Sequence, residues 1–157
     1  NLRPAIHDII DHLLAEYENQ HEMNLVEAIS YPLPIMVISE MLGVPKEDWH
    51  IIRQYASGLA GVFEQLRTQQ DIDDGNKLVV QMKQYFRELI EKKKQQPADD
   101  LLTGLIAVYE EQEQVFTMDE LLSNLILLVW AGHETTSNLI SNAIFELLTH
   151  PAQYAQL

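Results

Sequence analysis

The amino-acid sequence predicts an all-α fold built around one long central helix. Apolar residues recur three and four positions apart in almost every segment, which is the spacing of a helix with one buried face. Prolines and glycines lie between these segments, where helices begin and end. Only residues 24–26 favour a strand, and at most a very short one. The length of 157 residues suits one domain, or a piece of a larger one.

Two helices are predicted before residue 43. The first begins near Pro4, since proline tolerates the first turn of a helix. Its apolar face consists of Ile6, Ile9, Ile10, Leu13, Leu14 and Tyr17. The second is a buried helix from about Leu33 to Leu42, and Gly43 with Pro45 supplies the usual stop.

Three further helices are predicted in the middle of the chain. The apolar face of the third contains Trp49, Ile52, Tyr55, Ala56, Leu59, Phe63 and Leu66. Residues 67–76 are predicted to form a polar connection to a fourth helix, which carries Leu78 to Ile90 and ends at the lysines of "KKKQQP". Asp99 or Asp100 is predicted to cap the fifth helix, which carries Leu101 to Tyr109.

The long central helix has a strong start signal. Thr117 and Glu120 have the spacing of a capping box, and Phe116 with Leu121 can form the hydrophobic staple beside it. No proline follows until Pro151, so the helix is predicted over residues 117–149. A helix of about 32 residues is roughly 48 Å long. A new helix begins at Pro151, shortly before the sequence ends.

The composition excludes several classes of protein. The net charge of −14 argues against binding nucleic acid or an anionic membrane surface. The longest apolar run is about eight residues, whereas roughly 20 are needed to span a bilayer. The N-terminal residues lack the apolar core of a signal peptide. We therefore expect a soluble cytoplasmic protein that binds neither nucleic acid nor membrane.

Three apparent motifs fail on spacing, so no metal ligands are predicted. "HETTS" begins like a zinc-protease helix, but Ser137 stands where the second histidine is required. "DIDDGN" resembles a calcium loop, but Asn76 occupies its glycine position and Met82 its glutamate position. The six scattered histidines form no ligand set, and they are interpreted as surface or capping residues.

The stretch from Ala131 to Thr136 carries the main candidate site. Glycine and threonine weaken a helix, which is unexpected in its most apolar part. Small Ala131 and Gly132 would let a flat group approach the backbone, while Thr135 can bond back to the carbonyl of residue 131 or turn to a ligand. Glu134 beside Thr135 can relay protons. The alternative interpretation is a helix-packing glycine next to an interfacial polar patch.

"AGHETT", residues 131–136, resembles the oxygen-binding signature of the cytochromes P-450, the haem-thiolate monooxygenases. The family pattern is Ala/Gly-Gly-x-Asp/Glu-Thr-Thr/Ser, and all six positions match. "LRPAIHDIIDHLL", "YPLPIMVISEMLGVPKED" and "NAIFELLTHPAQ" are similar to other family segments in the same order. The resemblance implies the bacterial soluble form of the fold, from helix D to the start of helix J.

The resemblance implies a role for each part of the site. Thr135 would hydrogen-bond dioxygen or its water, and Glu134 would link that place to solvent, so the two would be catalytic. Ala131, Gly132 and Thr135 would border the haem, where the helix opens locally. Leu127, Leu128 and Trp130 are the substrate-pocket candidates; a core position against a neighbouring helix remains an equal alternative for Trp130. The third and fourth helices would form the lid over the substrate.

No residue of the chain is cysteine, although the family holds its iron through a cysteine thiolate. We therefore expect residues 1–157 to be a single central fragment that lacks the N-terminal part and the C-terminal haem-thiolate part. The parent would be a haem monooxygenase that uses O2, a small organic substrate and a ferredoxin- or flavodoxin-type redox partner. The alternative is a non-catalytic helical scaffold or interaction module.

The isolated chain is expected to be inactive and to self-associate. Without the missing partners, Leu125, Leu127, Leu128, Trp130 and Ile140 would lack complete cover. A symmetric dimer that pairs two long helices would provide that cover. The alternative is that the chain repacks away from the family arrangement.

Overall fold

The computed structural model of the chain describes residues 2–59, 68–111 and 117–156. The described residues form seven α-helices and two short turns of other helical types, with no strand among them. The helices are α1 Arg3–Ala15, α2 Pro32–Met41, α3 Trp49–Leu59, α4 Gln69–Gln95, α5 Leu101–Glu111, α6 Met118–Thr149 and α7 Pro151–Tyr154. A π-helical turn spans Val26–Ser30 and a 3-10 turn spans Lys46–Asp48. The all-α prediction is confirmed.

Residues 24–26, where at most a very short strand was predicted, form no strand. The Asn24 side-chain oxygen accepts hydrogen bonds from the backbone N–H groups of Val26, at 3.1 Å, and Glu27, at 3.4 Å. This side chain starts the π turn Val26–Ser30 in the way that an asparagine caps a helix. The cap outweighs the weak strand preference of a single valine.

The long helix α6 confirms the prediction for its start and its length. Thr117 Oγ1 accepts from the backbone N–H of Glu120 at 3.2 Å, and Glu120 Oε2 accepts from the backbone N–H of Thr117 at 2.6 Å. These bonds complete the capping box, and the helix runs for 32 residues to Thr149. Phe116, the other half of the predicted staple, lies outside the described residues.

Helix α4 begins earlier than predicted, so most of the expected polar connection at 67–76 is helical. Thr68 and Asp71 form a second capping box, with a bond of 2.6 Å from the Thr68 N–H to Asp71 Oδ2. Bonds from Gln69 to Asp73 and from Gln70 to Asp74 then support the first turns. "DIDDGN" therefore lies inside a helix. The predicted end of the third helix, at Phe63 and Leu66, lies outside the described residues.

One core joins α2 to α6. Its fully buried members come from every one of these helices and include Ile35, Leu42, Ile52, Met82, Phe86, Ile90, Leu102, Leu121, Leu122, Leu125 and Val129. Leu125 is 0 % exposed, so the expectation that it would lack cover was wrong; it lies on the face of α6 that packs against this core. None of the described helices is apolar over enough of its length to cross a membrane.

Helix α2 ends just before Gly43, as the sequence predicts. Gly43 has a positive φ of 64°, and the backbone N–H groups of Gly43 and Val44 bond to the carbonyls of Glu40 and Ser39. This is the Schellman arrangement, which favours glycine. Asp100 caps α5 by accepting from the Thr103 N–H at 2.8 Å, as one of the two predicted alternatives required.

Candidate functional site

Three of the candidate residues form one exposed stripe of α6. Leu127, Ala131 and Thr135 follow each other at intervals of four, so they lie on the same face of the helix. Leu127 is 55 % exposed, Thr135 is exposed, and Ala131 between them is half-buried. The buried residues Leu122, Ile126, Val129, His133 and Ser137 lie on the opposite side. The stripe is therefore turned away from the core.

Thr135 uses one of the two bonding options that its sequence position allows. Its Oγ1 donates a hydrogen bond of 2.7 Å to the carbonyl oxygen of Ala131. The helix is α-helical through residues 131–136, so the local opening implied by the family resemblance is absent from this structure. The side-chain bond gives the Ala131 carbonyl a second donor beside the helical N–H of Thr135, an arrangement that often bends a helix.

Glu134 stands next to Thr135 and is exposed, so its carboxylate is in contact with solvent. An exposed carboxylate exchanges protons with water rapidly, and a neighbouring hydroxyl can both accept and donate one. Both the carboxylate of Glu134 and the hydroxyl of Thr135 are therefore accessible to solvent.

Gly132 is not required by helix packing. A Cβ atom built on it would meet only Ile38 Cδ1, at 3.8 Å, which is ordinary van der Waals contact. The interpretation of Gly132 as a helix-packing glycine is therefore contradicted among the described residues. Gly132 and Thr136 line an apolar groove of about 230 Å³ between α1, α2 and α6, together with Val37 and Ile140.

Two of the three substrate-pocket candidates line a second cavity. It measures about 190 Å³ and lies between α3, α4 and α6, and its walls include Leu127, Trp130, Ile126, Leu59 and Val79. Asn76 and Ser123 add an amide and a hydroxyl to this apolar lining. Leu128 does not line the cavity but is half-buried against the core. Trp130 lines the cavity and also packs against the core.

His133 is a buried residue that sequence reasoning placed wrongly at the surface or in a cap. Its side chain is 4 % exposed, and its ring meets the ring of Tyr31 edge to face, with 4.4 Å between the centroids. Its Nε2 has no hydrogen-bond partner among the described residues. The four-residue spacing of Val129, His133 and Ser137 was the available signal, because it places the imidazole on the buried face.

The surroundings of His133 favour its neutral form. Burial lowers the pKa of the imidazole, and the positive charge of Arg53 lowers it further. A hydrogen bond to the Tyr31 backbone and the charge of Glu134 act in the opposite direction. The net result is a neutral imidazole directly behind the exposed acid and alcohol.

Comparison with known proteins shows which family the chain belongs to. The sequence profile of the family described as Cytochrome P450 matches residues 35–157, which include most of α2, the lining of the cavity between α3, α4 and α6, and the whole of α6. The chain belongs to the cytochrome P450 family.

The similarity to individual P450 proteins extends over nearly the whole chain. The biotin biosynthesis cytochrome P450 of Bacillus subtilis is 36% identical over 155 residues, which cover 99% of this chain and 39% of that protein. The crystal structure of P450BioI in complex with hexadec-9Z-enoic acid ligated acyl carrier protein superposes with a TM-score of 0.88 at 35% identity, covering 99% of this chain and 40% of that one. CYP109E1 from Bacillus megaterium, in complex with testosterone, gives 0.84 at 34% identity, with 99% and 41% covered.

The chain spans about two fifths of the length of the P450 relatives that it matches. Cytochromes P450 use haem. The exposed stripe of α6 leaves room for a flat group at its centre, because Ala131 carries only a methyl side chain there. None of the 157 residues is a cysteine, so they do not include the thiolate ligand that the family resemblance implies.

Proposed function

We propose that the complete enzyme containing this segment is a haem-dependent monooxygenase. It would insert one atom of O2 into a small organic substrate and release the other as water. The two electrons would come from a ferredoxin- or flavodoxin-type redox partner and the two protons from solvent. Haem, when bound, supplies the binding and reduction of O2. The observation that carries the proposal is the pairing of exposed Glu134 and Thr135 beside Ala131 and Gly132, in a helix where packing does not require the glycine.

Thr135 would hold and pass a proton at its Oγ1. Its present bond to the Ala131 carbonyl spans one helical turn, so rotation about the Thr135 side-chain torsion would release the hydroxyl toward the exposed stripe. The carbonyl freed in this way can accept from water instead. Glu134 would restore the proton from solvent, because its carboxylate is exposed.

The cavity between α3, α4 and α6 is proposed to form part of the substrate site. Its lining is mainly apolar. Leu127 belongs to both the cavity lining and the exposed stripe, and Trp130 lies on the side toward the core. A predominantly apolar molecule would gain most from burial there, and Asn76 or Ser123 would bond one polar group. One solved relative is in complex with an acyl carrier protein ligated to hexadec-9Z-enoic acid, and another is in complex with testosterone. The fatty acid and the steroid both have large apolar parts.

The test is the absorption spectrum of the complete enzyme, reduced and treated with carbon monoxide, combined with product analysis. A thiolate-type Soret band and incorporation of one atom from labelled O2 are expected. A complete protein without that band would overturn the monooxygenase proposal and favour a non-catalytic helical scaffold. The 157-residue chain alone, tested in parallel, should give neither signal.

A further inference from the structure

Tyr31 occupies the junction between three helices. It follows the π turn Val26–Ser30 and precedes Pro32, and its backbone N–H bonds to the carbonyl of Val26 at 2.9 Å. The extra residue of a π turn changes the direction of the side chain that follows it, and such turns are frequent at functional sites. Here the turn places the Tyr31 ring between α3 and α6.

On the α3 side, Tyr31 is held at both its face and its hydroxyl. The Arg53 guanidinium carbon lies 5.1 Å from the ring centroid, within the range of a cation–π contact. The Tyr31 hydroxyl forms a short hydrogen bond with Ser57 Oγ. Because Ser57 Oγ donates its own proton to the Arg53 carbonyl at 2.7 Å, the Tyr31 hydroxyl is the donor to Ser57.

On the α6 side, the ring of Tyr31 meets His133 edge to face, at an interplanar angle of 89°. His133 immediately precedes Glu134 and Thr135 in the same helix. Because His133 is almost completely buried, its ring cannot move without displacing Tyr31 or the backbone of this part of α6. A continuous series of contacts therefore runs from Arg53 and Ser57 to the acid and the alcohol.

We propose that Tyr31 is a positioning residue, which couples the placement of α3 over the cavity to the geometry of the α6 segment carrying Glu134 and Thr135. A shift of α3 moves the Tyr31 ring through Ser57 and Arg53, and the ring transmits that shift to His133. The catalytic meaning of this coupling rests on the proposed monooxygenase function. The coupling itself is a property of the chain and is measurable without any reaction.

The first experiment is amide hydrogen exchange on the chain, read for residues 49–59 and 129–138. Tyr31→Phe removes only the hydroxyl bond to Ser57 and keeps the ring against His133. Exchange is expected to become about 2- to 10-fold faster in both segments, which is the range for the net loss of one hydrogen bond. Tyr85→Phe is the matched control, because it also removes a bond between elements, from Tyr85 to Asp48 at 2.9 Å. The control should leave residues 129–138 unchanged.

The second experiment is a nuclear magnetic resonance cycle on the His133 ring, assigned with His133→Gln. Ser57→Ala is expected to move the His133 ring signals although Ser57 belongs to α3, and to move them no further when Tyr31 is already leucine. A general loss of stability would instead affect all six histidines. If Tyr31→Phe accelerates exchange only at 49–59, or if Ser57→Ala leaves the His133 signals in place, the coupling is overturned. Both the exchange rates and the His133 ring signals would still test the coupling if the monooxygenase proposal were wrong, because neither measurement depends on a reaction.

Discussion

The Thr135 hydroxyl and the Ala131 carbonyl oxygen are joined by a 2.7 Å hydrogen bond on the exposed stripe of α6. Thr135→Ala in the complete enzyme removes the hydroxyl and leaves the helix backbone intact. For each NAD(P)H consumed, we expect several-fold more of the reduced oxygen to be released as peroxide and less hydroxylated product to form. Thr136→Ala is the control, since Thr136 faces the groove between α1 and α2. Unchanged product per NAD(P)H in Thr135→Ala would contradict a role in proton transfer.

Glu134→Gln keeps the shape of the side chain and removes its titrating proton. Turnover should fall by about tenfold to a hundredfold. This is at or below the low end of the range for losing a general acid, because water can partly replace an exposed carboxylate. The solvent isotope effect on turnover should change with it. Glu146→Gln alters another exposed acid of α6 and should change neither quantity. An unaltered isotope effect in Glu134→Gln would remove Glu134 from the proton path.

The stability of the chain should depend on pH through His133. Burial lowers the folded-state pKa of this imidazole, so the unfolded chain binds more protons below its ordinary pKa of about 6.5. The free energy of unfolding is therefore unaffected by this imidazole above that pH and decreases as the pH falls below it. The slope is at most about 1.4 kcal/mol per pH unit for one proton.

Thermal unfolding of wild type and His133→Phe between pH of about 8 and 5.5 measures this contribution. The phenylalanine keeps an aromatic ring against Tyr31 and should flatten the pH dependence. His12→Gln, at an exposed histidine, should not. Equal pH dependence in wild type and His133→Phe would show that the imidazole is charged, or accessible, in the folded chain.

Gly43→Ala should destabilise the chain by about 1–3 kcal/mol, because alanine at positive φ is strained and its Cβ would collide with the Asp100 carboxylate. That carboxylate is fixed by its ion pair with Lys93 and by the Thr103 N–H. Gly104→Ala is a matched control inside α5, where a Cβ meets nothing within 4 Å. It should stabilise by about 0.5–1 kcal/mol. Urea midpoints measure both, and equal midpoints would refute the steric explanation.

Self-association of the chain should depend on the second half of α6. Phe145 and Leu148, three positions apart on one face of that half, are 63% and 72% exposed, so they can pair with a second copy. We expect light scattering to show a mass that rises with concentration. Phe145→Glu with Leu148→Glu should return it to the monomer value, whereas Val80→Glu, on similarly exposed Val80 of α4, should not. A monomer at every concentration would refute the prediction.

The sequence predicted best where a single local interaction decides the structure. Thr117 with Glu120 marked the start of α6, and Gly43 marked the end of α2. Thr68 with Asp71 forms a capping box like Thr117 with Glu120, but the usual sequence pattern has glutamate or glutamine at the position of Asp71, so the pattern is weaker. This helix also starts well before its continuous apolar face, which begins at Leu78.

Where tertiary packing decides, the sequence was less informative. A lone histidine in a helix has no local mark of burial, and only the Tyr31 ring, about 100 positions away along the chain, explains why His133 is tolerated there. Leu125 and Leu127 look equivalent in an apolar run, yet one is buried and the other is 55 % exposed because they project from different sides of α6. The placement of α6 on the core, not its composition, separates them.

The contact of Tyr31 with His133 lies at the midpoint of α6. Fifteen residues of the helix, 118–132, precede His133 and sixteen, 134–149, follow it. An α-helix of this length extends roughly 23 Å on each side of this point. The arm toward Met118 is anchored in the core by Leu121, Leu122, Leu125 and Val129, whereas the arm toward Thr149 carries the exposed side chains of Leu139, Phe145 and Leu148. Tyr31 therefore contacts α6 at the boundary between its core-packed half and its exposed half.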